Sequence, residues 1–194
     1  MKCLIATIIF MVLVIAGGYI IDMSPEDDKA TMKASVAGND SADMNFPIQF
    51  SESEWKERLS DKEFEVLRKA GTERAFSSPL NDNKKKGIYY SAATGQPIFS
   101  SEHKFDSGTG WPSFFKPISN EAIVLVEDNS YGMTRTEVLD SSSGSHLGHV
   151  FNDGPEPTGK RYCLNGVALI FVEEGATPPQ LVKDYLRKYG KNAQ

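Results

Sequence analysis

From Gly71 onward no apolar run lasts more than about six residues before a turn signal interrupts it, and that rhythm is the strongest constraint on the fold. Segments 88–90, 97–99, 122–126, 133–139, 148–151, 161–164 and 167–172 read as short strands, rich in β-branched and aromatic residues. Thr94-Gly95, Asp128-Asn129, Ser143-Gly144, Asp153-Gly154-Pro155 and Asn165-Gly166 punctuate them. Asn165-Gly166, between two apolar runs, predicts a hairpin. Strands this short, so closely spaced, pair antiparallel. The expected class is mainly β.

Helices belong at the two ends of this region. Ser53 and Ser60 are placed as caps, and Ser60-Asp61-Lys62-Glu63 has the form of a capping box. Trp55, Leu59, Phe64, Val66 and Leu67 supply apolar faces for two short helices. Thr177-Pro178-Pro179 opens a last helix with Leu181, Val182, Tyr185 and Tyr189 on its stripe.

The amino terminus has a different texture. Lys2 precedes an uncharged run from Leu4 to Ile21, and Asp22, Glu26, Asp27 and Asp28 come after it. This polarity places the remainder of the chain outside the cytoplasm. Two forms fit residues 1–21: a signal peptide cut after Ala16-Gly17-Gly18, or an anchor at the short end of what spans a bilayer. Residues 22–45 carry no apolar period and read as a flexible tether. Its Met23, Met32 and Met44 are either plain linker residues or oxidisable residues held close to the domain that begins at Phe46 and continues to residue 194.

A net charge of −5 offers no basic surface for nucleic acid. Of the two cysteines, Cys3 lies at the edge of the apolar run and Cys163 deep in the chain, so Cys163 is functionally alone. A lone cysteine is often an inert buried side chain. Its company argues for more. Arg161, two residues away on a strand, shares its face and favours a thiolate. His146-Leu147-Gly148-His149 holds two of the three histidines, the natural acids near neutral pH. The loop from Phe105 to Phe114, with Gly108 and Gly110 around Thr109, presents Trp111, an aromatic face suited to a soft sulfur or methyl group. Thiolate, proton donor and aromatic pad together fit reduction of a thioether oxide.

The stretch from about Ser51 to Val172 resembles the methionine sulfoxide reductase B family. The resemblance rests on residues 71–76 (GTERAF), 104–114 (KFDSGTGWPSF), 146–155 (HLGHVFNDGP) and 161–165 (RYCLN), which occur in the family's order and spacing. It implies two antiparallel β-sheets with a few peripheral helices. It implies that Cys163 attacks the sulfoxide sulfur of a protein-bound methionine (R)-sulfoxide, that methionine leaves, and that a sulfenic acid remains. His149 takes the main acid role with His146 beside it, Arg161 helps hold the thiolate, and Asn165 orients neighbouring groups. Trp111 and Phe151 fall on the substrate side, as does Asp153, which is expected to position a histidine.

Two departures from the family pattern matter. Where many members bind zinc through two Cys-x-x-Cys pairs, this chain has Ser91 with Thr94 and Asp140 with Ser143. Such a set does not hold zinc tightly, so no metal cofactor is expected and the two loops must be joined by packing or hydrogen bonds. Where some members carry a resolving cysteine, this chain has Thr109. The sulfenic acid then needs an outside thiol, thioredoxin-like or small. A monomer acting on oxidised proteins is the expected form. Other readings of the residues are a cysteine hydrolase built on Cys163, His149 and Asn165, a metal-binding module of His146, His149 and Asp140, and a sulfoxide-binding domain without turnover.

Overall fold

The computed structural model describes residues 44–190. Expectations for residues 1–21 and nearly all of the tether, Met23 and Met32 included, lie outside it. Among the described residues no helix is long and apolar enough to cross a membrane.

Two helices lead into the sheets. Helix α1 (Glu52–Arg58) is capped by Ser51, not Ser53, and α2 (Asp61–Lys69) by Ser60. Both are full capping boxes, because each serine stands three residues before a glutamate, Glu54 or Glu63, whose carboxylate reaches back to the cap amide. Ser53 lacks such a partner and falls inside α1. Trp55, Leu59, Phe64, Val66 and Leu67 are buried, as their spacing requires.

Nine strands follow among the described residues: β1 (Gly87–Ser91), β2 (Pro97–Ser100), β3 (Lys104–Phe105), β4 (Ser113–Phe114), β5 (Ile123–Asp128), β6 (Arg135–Asp140), β7 (His146–Phe151), β8 (Arg161–Leu164) and β9 (Leu169–Glu173). They form a three-stranded sheet, β2-β1-β9, and a six-stranded sheet, β3-β4-β8-β7-β6-β5, with every pairing antiparallel. The mainly β, two-sheet expectation therefore holds. Tyr89 and Phe99 of the smaller sheet meet Phe114 and Tyr162 of the larger in one buried aromatic cluster, with Phe99 stacked on Phe114 at 4.6 Å. Helix α3 (Gln180–Tyr189) begins after Pro179 and buries Val182 beside Tyr90 and Val172 of the smaller sheet.

The hairpin expected at Asn165-Gly166 does not form. β8 pairs with β4 and β7, whereas β9 pairs with β1 in the other sheet, so this dipeptide carries the chain between sheets. A two-residue hairpin turn of the usual kind needs positive φ at both positions or at the first. Asn165 has φ −67° and opens a 3₁₀ turn, Gly166–Ala168. The glycine is needed for space, since a Cβ there would collide with the Ser78 side chain.

Ser91, Thr94, Asp140 and Ser143, where the resemblance implied lost zinc ligands, lie at the junction of the sheets. Ser91 closes β1 and Asp140 closes β6. Asp140 is fully buried, and both of its oxygens are occupied. Oδ2 accepts from Ser91 Oγ at 2.6 Å and Thr94 Oγ1 at 3.4 Å, Oδ1 from the Ser142 and Ser143 amides at 3.1 and 2.6 Å, and Ser143 Oγ donates to the carboxylate as well. Arg68 of α2 stacks on Trp55 and donates to Ser143 O and Ser145 Oγ at the same turn. Hydrogen bonds from all four positions thus join the two loops.

Candidate active site

Strand register assembles the site. Across the larger sheet Glu137 pairs with His149, His149 with Cys163, and Cys163 with Ser113. Directly opposed residues share a face, so these four side chains form one row. In the next row Phe151 pairs with Arg161. On β8, Arg161 and Cys163 lie two residues apart and share that face, as the sequence implied.

His146 reaches the same face by an irregularity. Three residues from His149, it would point to the opposite side of a regular strand. The register shifts between Val138 and Leu139, where Gly148 opposes Val138 but His146 opposes Leu139. Leu147 is the extra residue of this bulge and is buried in the core. The bulge returns His146 to the face of Glu137 and brings the two imidazoles to 5.4 Å, edge to face. It also explains why β7 begins at His146, two residues earlier than its apolar pattern suggested.

Gly148 fits this arrangement because β8 passes very close. A Cβ on it would run into the Cys163 carbonyl oxygen and stand 2.9 Å from Leu164 Cα. Gly148→Ala is expected to push β8 away from β7 at Cys163, lowering stability by about 1–3 kcal/mol. Thermal melting of the variant checks this, and an unchanged midpoint would mean the strands part without cost.

Each histidine is held by a carboxylate. His149 Nε2 lies 2.8 Å from Asp128 Oδ2, and His146 Nδ1 lies 2.5 Å from Glu137 Oε1. Asp128 also accepts from Arg135 Nη2 at 2.6 Å and from the Ser130 amide. Burial pushes the Asp128 carboxyl up, but hydrogen bonds from the Ser130 hydroxyl and amide and from His149, with the charge of Arg135, outweigh it and hold the group well below the usual range. The His149 pKa is lowered too, which for a histidine disfavours the charged form: burial lowers it, Arg135 and His146 add to this, and the bond to Asp128 opposes them. His146 is 3% exposed, and its Nε2 has no hydrogen-bond partner among the described residues. A buried ring nitrogen without a partner is unusual, and this one is closed off from solvent.

Cys163 is half-buried and free, the only cysteine among the described residues. Its Sγ lies 3.8 Å from Thr109 Oγ1, which begins a chain of hydroxyls through Ser107 (2.8 Å) to the buried Ser113 (2.7 Å). Thr109 therefore stands beside the sulfur. Arg161 is clamped by both Asp153 oxygens, at 2.9 and 2.8 Å, and lies 4.4 Å over the Phe151 ring. Asp153 raises the Arg161 pKa further against its burial, with a smaller electrostatic contribution from Cys163. The expectation that Asp153 positions a histidine is thus corrected. It positions Arg161, because the two face each other across the mouth of the β7–β8 connection.

Asn165 is buried, and its amide is engaged with backbone. Oδ1 accepts from Glu73 N at 2.9 Å and Nδ2 donates to Leu147 O at 3.1 Å. It anchors the bulge to the segment before β1. No bond from it reaches a histidine, so the Cys-His-Asn set of a hydrolase is not assembled. Glu73, unremarked in the sequence beyond its motif, is buried too. Its carboxylate accepts from the Gly166 and Val167 amides, and its carbonyl accepts from Trp111 Nε1 at 3.1 Å. This bond fixes the half-buried Trp111 ring. The proposed His146, His149 and Asp140 metal module is not assembled either, since the Asp140 oxygens are occupied by the donors at the sheet junction.

Sequence reasoning missed Asp128, Glu137 and Arg135. The available signal was period-two polarity on β6, where Arg135 and Glu137 alternate before the apolar Val138-Leu139. Such alternation ordinarily marks a solvent face.

Residues 59–173 match the SelR domain. The chain is 58% identical over 130 residues to the peptide methionine sulfoxide reductase MsrB of Methanosarcina mazei, covering 67% of this chain and 93% of that protein. It is 48% identical over 131 residues to the same-named protein of Leptospira interrogans, covering 68% of this chain and all of that one. With its counterpart from Agrobacterium fabrum it shares 44% identity over 131 residues, 67% of this chain and 97% of that protein.

Proposed function

The chain belongs to the methionine sulfoxide reductase B family and is a peptide methionine sulfoxide reductase; we propose that Cys163 performs the reduction and that the (R)-sulfoxide is its substrate. The observation that carries this is the row in which Cys163 stands beside His149, with the His146 ring on the same face. The Cys163 thiolate attacks the sulfoxide sulfur while a histidine gives a proton to the oxygen. The hydroxyl passes to the Cys163 sulfur as the methionine sulfur parts from both that oxygen and Cys163, leaving Cys163 as a sulfenic acid and methionine as product. Two outside thiol groups then return Cys163 to the thiol, releasing water and becoming a disulfide. A thioredoxin-like protein or a small thiol fills that role, in keeping with a threonine at the resolving position. Trp111 and Phe151 flank the sulfoxide's methyl group, and no zinc takes part. The uncharged run 4–21 supports action outside the cytoplasm. Turnover of matched peptides carrying the R or the S sulfoxide, with dithiothreitol, tests the assignment. Reduction of R alone is expected, and equal reduction of both would overturn it.

His149 is the proton donor in this reading. An ionised Asp128 accepts from Nε2–H, so delivery from Nδ1 requires the doubly protonated ring. Burial and Arg135 make that form scarce at neutral pH. Activity is therefore expected to fall as pH rises, with the limb below the ordinary histidine value. Arg135→Gln removes a like charge and should shift this limb to higher pH. Asp128→Asn removes the stabilising partner and should shift it lower. A pH profile of kcat/KM for the three proteins checks the signs, and a limb unmoved by either change would assign the proton elsewhere.

A further inference from the structure

Phe76 combines two features that a bulky apolar residue rarely carries together. Its φ is +61°, in the left-handed region that crowds Cβ against the backbone, and it is 70% exposed. Among the described residues only Ala70 is another non-glycine with positive φ, and Ala70 closes a helix. Phe76 is the third residue of the Arg74–Ser77 turn, closed by the Ser77 amide on the Arg74 carbonyl at 3.2 Å, a position where positive φ ordinarily takes glycine or asparagine. Its amide donates to the Gly110 carbonyl at 2.7 Å, and its ring lies so close over Gly110 that a Cβ there would come within 2.7 Å of it. Gly110 sits between Thr109, whose hydroxyl touches the Cys163 sulfur, and Trp111, whose indole is held by Glu73 three residues before Phe76. The ring is thus fixed on the outer edge of the loop that faces the nucleophile. Strained backbone kept in place by a hydrogen bond and close packing is concentrated at ligand clamps.

We propose that Phe76 is a substrate-binding residue that packs against the polypeptide flanking the oxidised methionine, an inference that rests on the reductase reading of the same site. A free amino acid held by its sulfur at Cys163 and its methyl at Trp111 has few atoms left to cover a ring standing in solvent. The neighbouring residues of a peptide do have them. A rigid aromatic face accepts such residues without demanding one sequence, because it offers apolar area rather than directed hydrogen bonds. Phe76 therefore favours polypeptide substrates over free methionine sulfoxide.

The test compares the full protein with Phe76→Ala, Phe76→Gly and Phe76→Trp on a short peptide bearing methionine (R)-sulfoxide and on free methionine (R)-sulfoxide, with dithiothreitol. Phe76→Ala is expected to raise KM for the peptide about tenfold with kcat unchanged, and to alter free-substrate turnover by less than about twofold. Phe76→Trp keeps a ring and should stay near wild type. Phe76→Gly adopts positive φ without strain, so it should melt higher than the alanine variant yet show the same raised KM. That pair separates the ring from the backbone. An unchanged peptide KM in the folded glycine or alanine variant overturns the proposal, as does an equal rise for both substrates. Failure of the wild-type protein to reduce either substrate overturns the reductase reading itself.

Discussion

Cys163→Ser is expected to eliminate methionine formation, a loss of about 10³-fold or more, while leaving the fold in place. The sulfur is half-buried, and its one side-chain hydrogen bond is a long contact with Thr109, so a hydroxyl of smaller radius costs little packing. The chemistry depends on it entirely. An alkoxide is far harder to form than a thiolate and does not take oxygen from a sulfoxide, because oxygen cannot be oxidised as sulfur is. The decisive measurement is a single turnover with an (R)-sulfoxide peptide and no added thiol. Wild type should give about one methionine per protein and then stop, with dimedone trapping the sulfenic acid at Cys163. The serine variant should give none, with an unchanged melting curve. Methionine in excess of the protein, without any thiol, would show that another reductant is built into the chain. Methionine from the serine variant would move the reaction away from this strand.

The expected stop after one turnover follows from the threonine at position 109. Its hydroxyl lies where an attacking sulfur would have to be, 3.8 Å from Cys163, and a hydroxyl does not form a disulfide. On the proposed mechanism the oxidised enzyme is expected to rest as a sulfenic acid until an outside thiol partner reaches it. That partner must reach a sulfur rimmed by Thr109 and Arg161. The clamp of Arg161 by Asp153 keeps its guanidinium over Phe151, on the same face as the sulfur.

Much of this site could be read from the chain, and the parts that escaped share a physical cause. Cys163 with Arg161 comes from two-residue periodicity, a property of any strand, and the mainly β class comes from turn spacing alone. His146 with His149 cannot be had from periodicity. Three residues apart on a strand they should diverge, and only a bulge, which depends on the register with β6, brings them together. Asp128, Arg135 and Glu137 escaped because cross-strand neighbours are set by pairing between segments, which local pattern does not contain. The Asn165-Gly166 hairpin failed for a related reason. The dipeptide has the composition of a tight turn, but the carboxylate of Glu73, 93 residues before Gly166, caps the 3₁₀ turn that begins there, and tertiary contact decided the outcome.

Asp140→Ala should be the most destabilising single change outside the hydrophobic core, costing about 3 kcal/mol, or a fall in melting midpoint of roughly 10 °C. The carboxylate is fully buried and joins the Ser91–Thr94 turn of one sheet to the Ser142–Ser143 turn of the other. Removing it strands at least two backbone amides and leaves the serine hydroxyls to find one another. Asp140→Asn should cost less, because its oxygen can keep the two amides while the hydroxyls rotate to accept from its NH₂. The pH dependence separates charge from shape. Burial pushes the Asp140 carboxyl above the ordinary aspartate range, with the hydrogen bonds from Ser91, Ser143 and Ser142 opposing it. A folded pKa above the unfolded one means that the native state binds the extra proton, so this group's contribution is greatest at low pH and declines as pH rises through the folded value. The stability difference between wild type and Asp140→Asn, measured by denaturant unfolding from acid to neutral pH, should accordingly tilt toward the asparagine variant as pH rises. A difference that tilts toward wild type would mean that the donors around Asp140 outweigh its burial. The junction would then work as an anion-binding cradle whose negative charge is an asset, and the loops would be held the more firmly by ionisation.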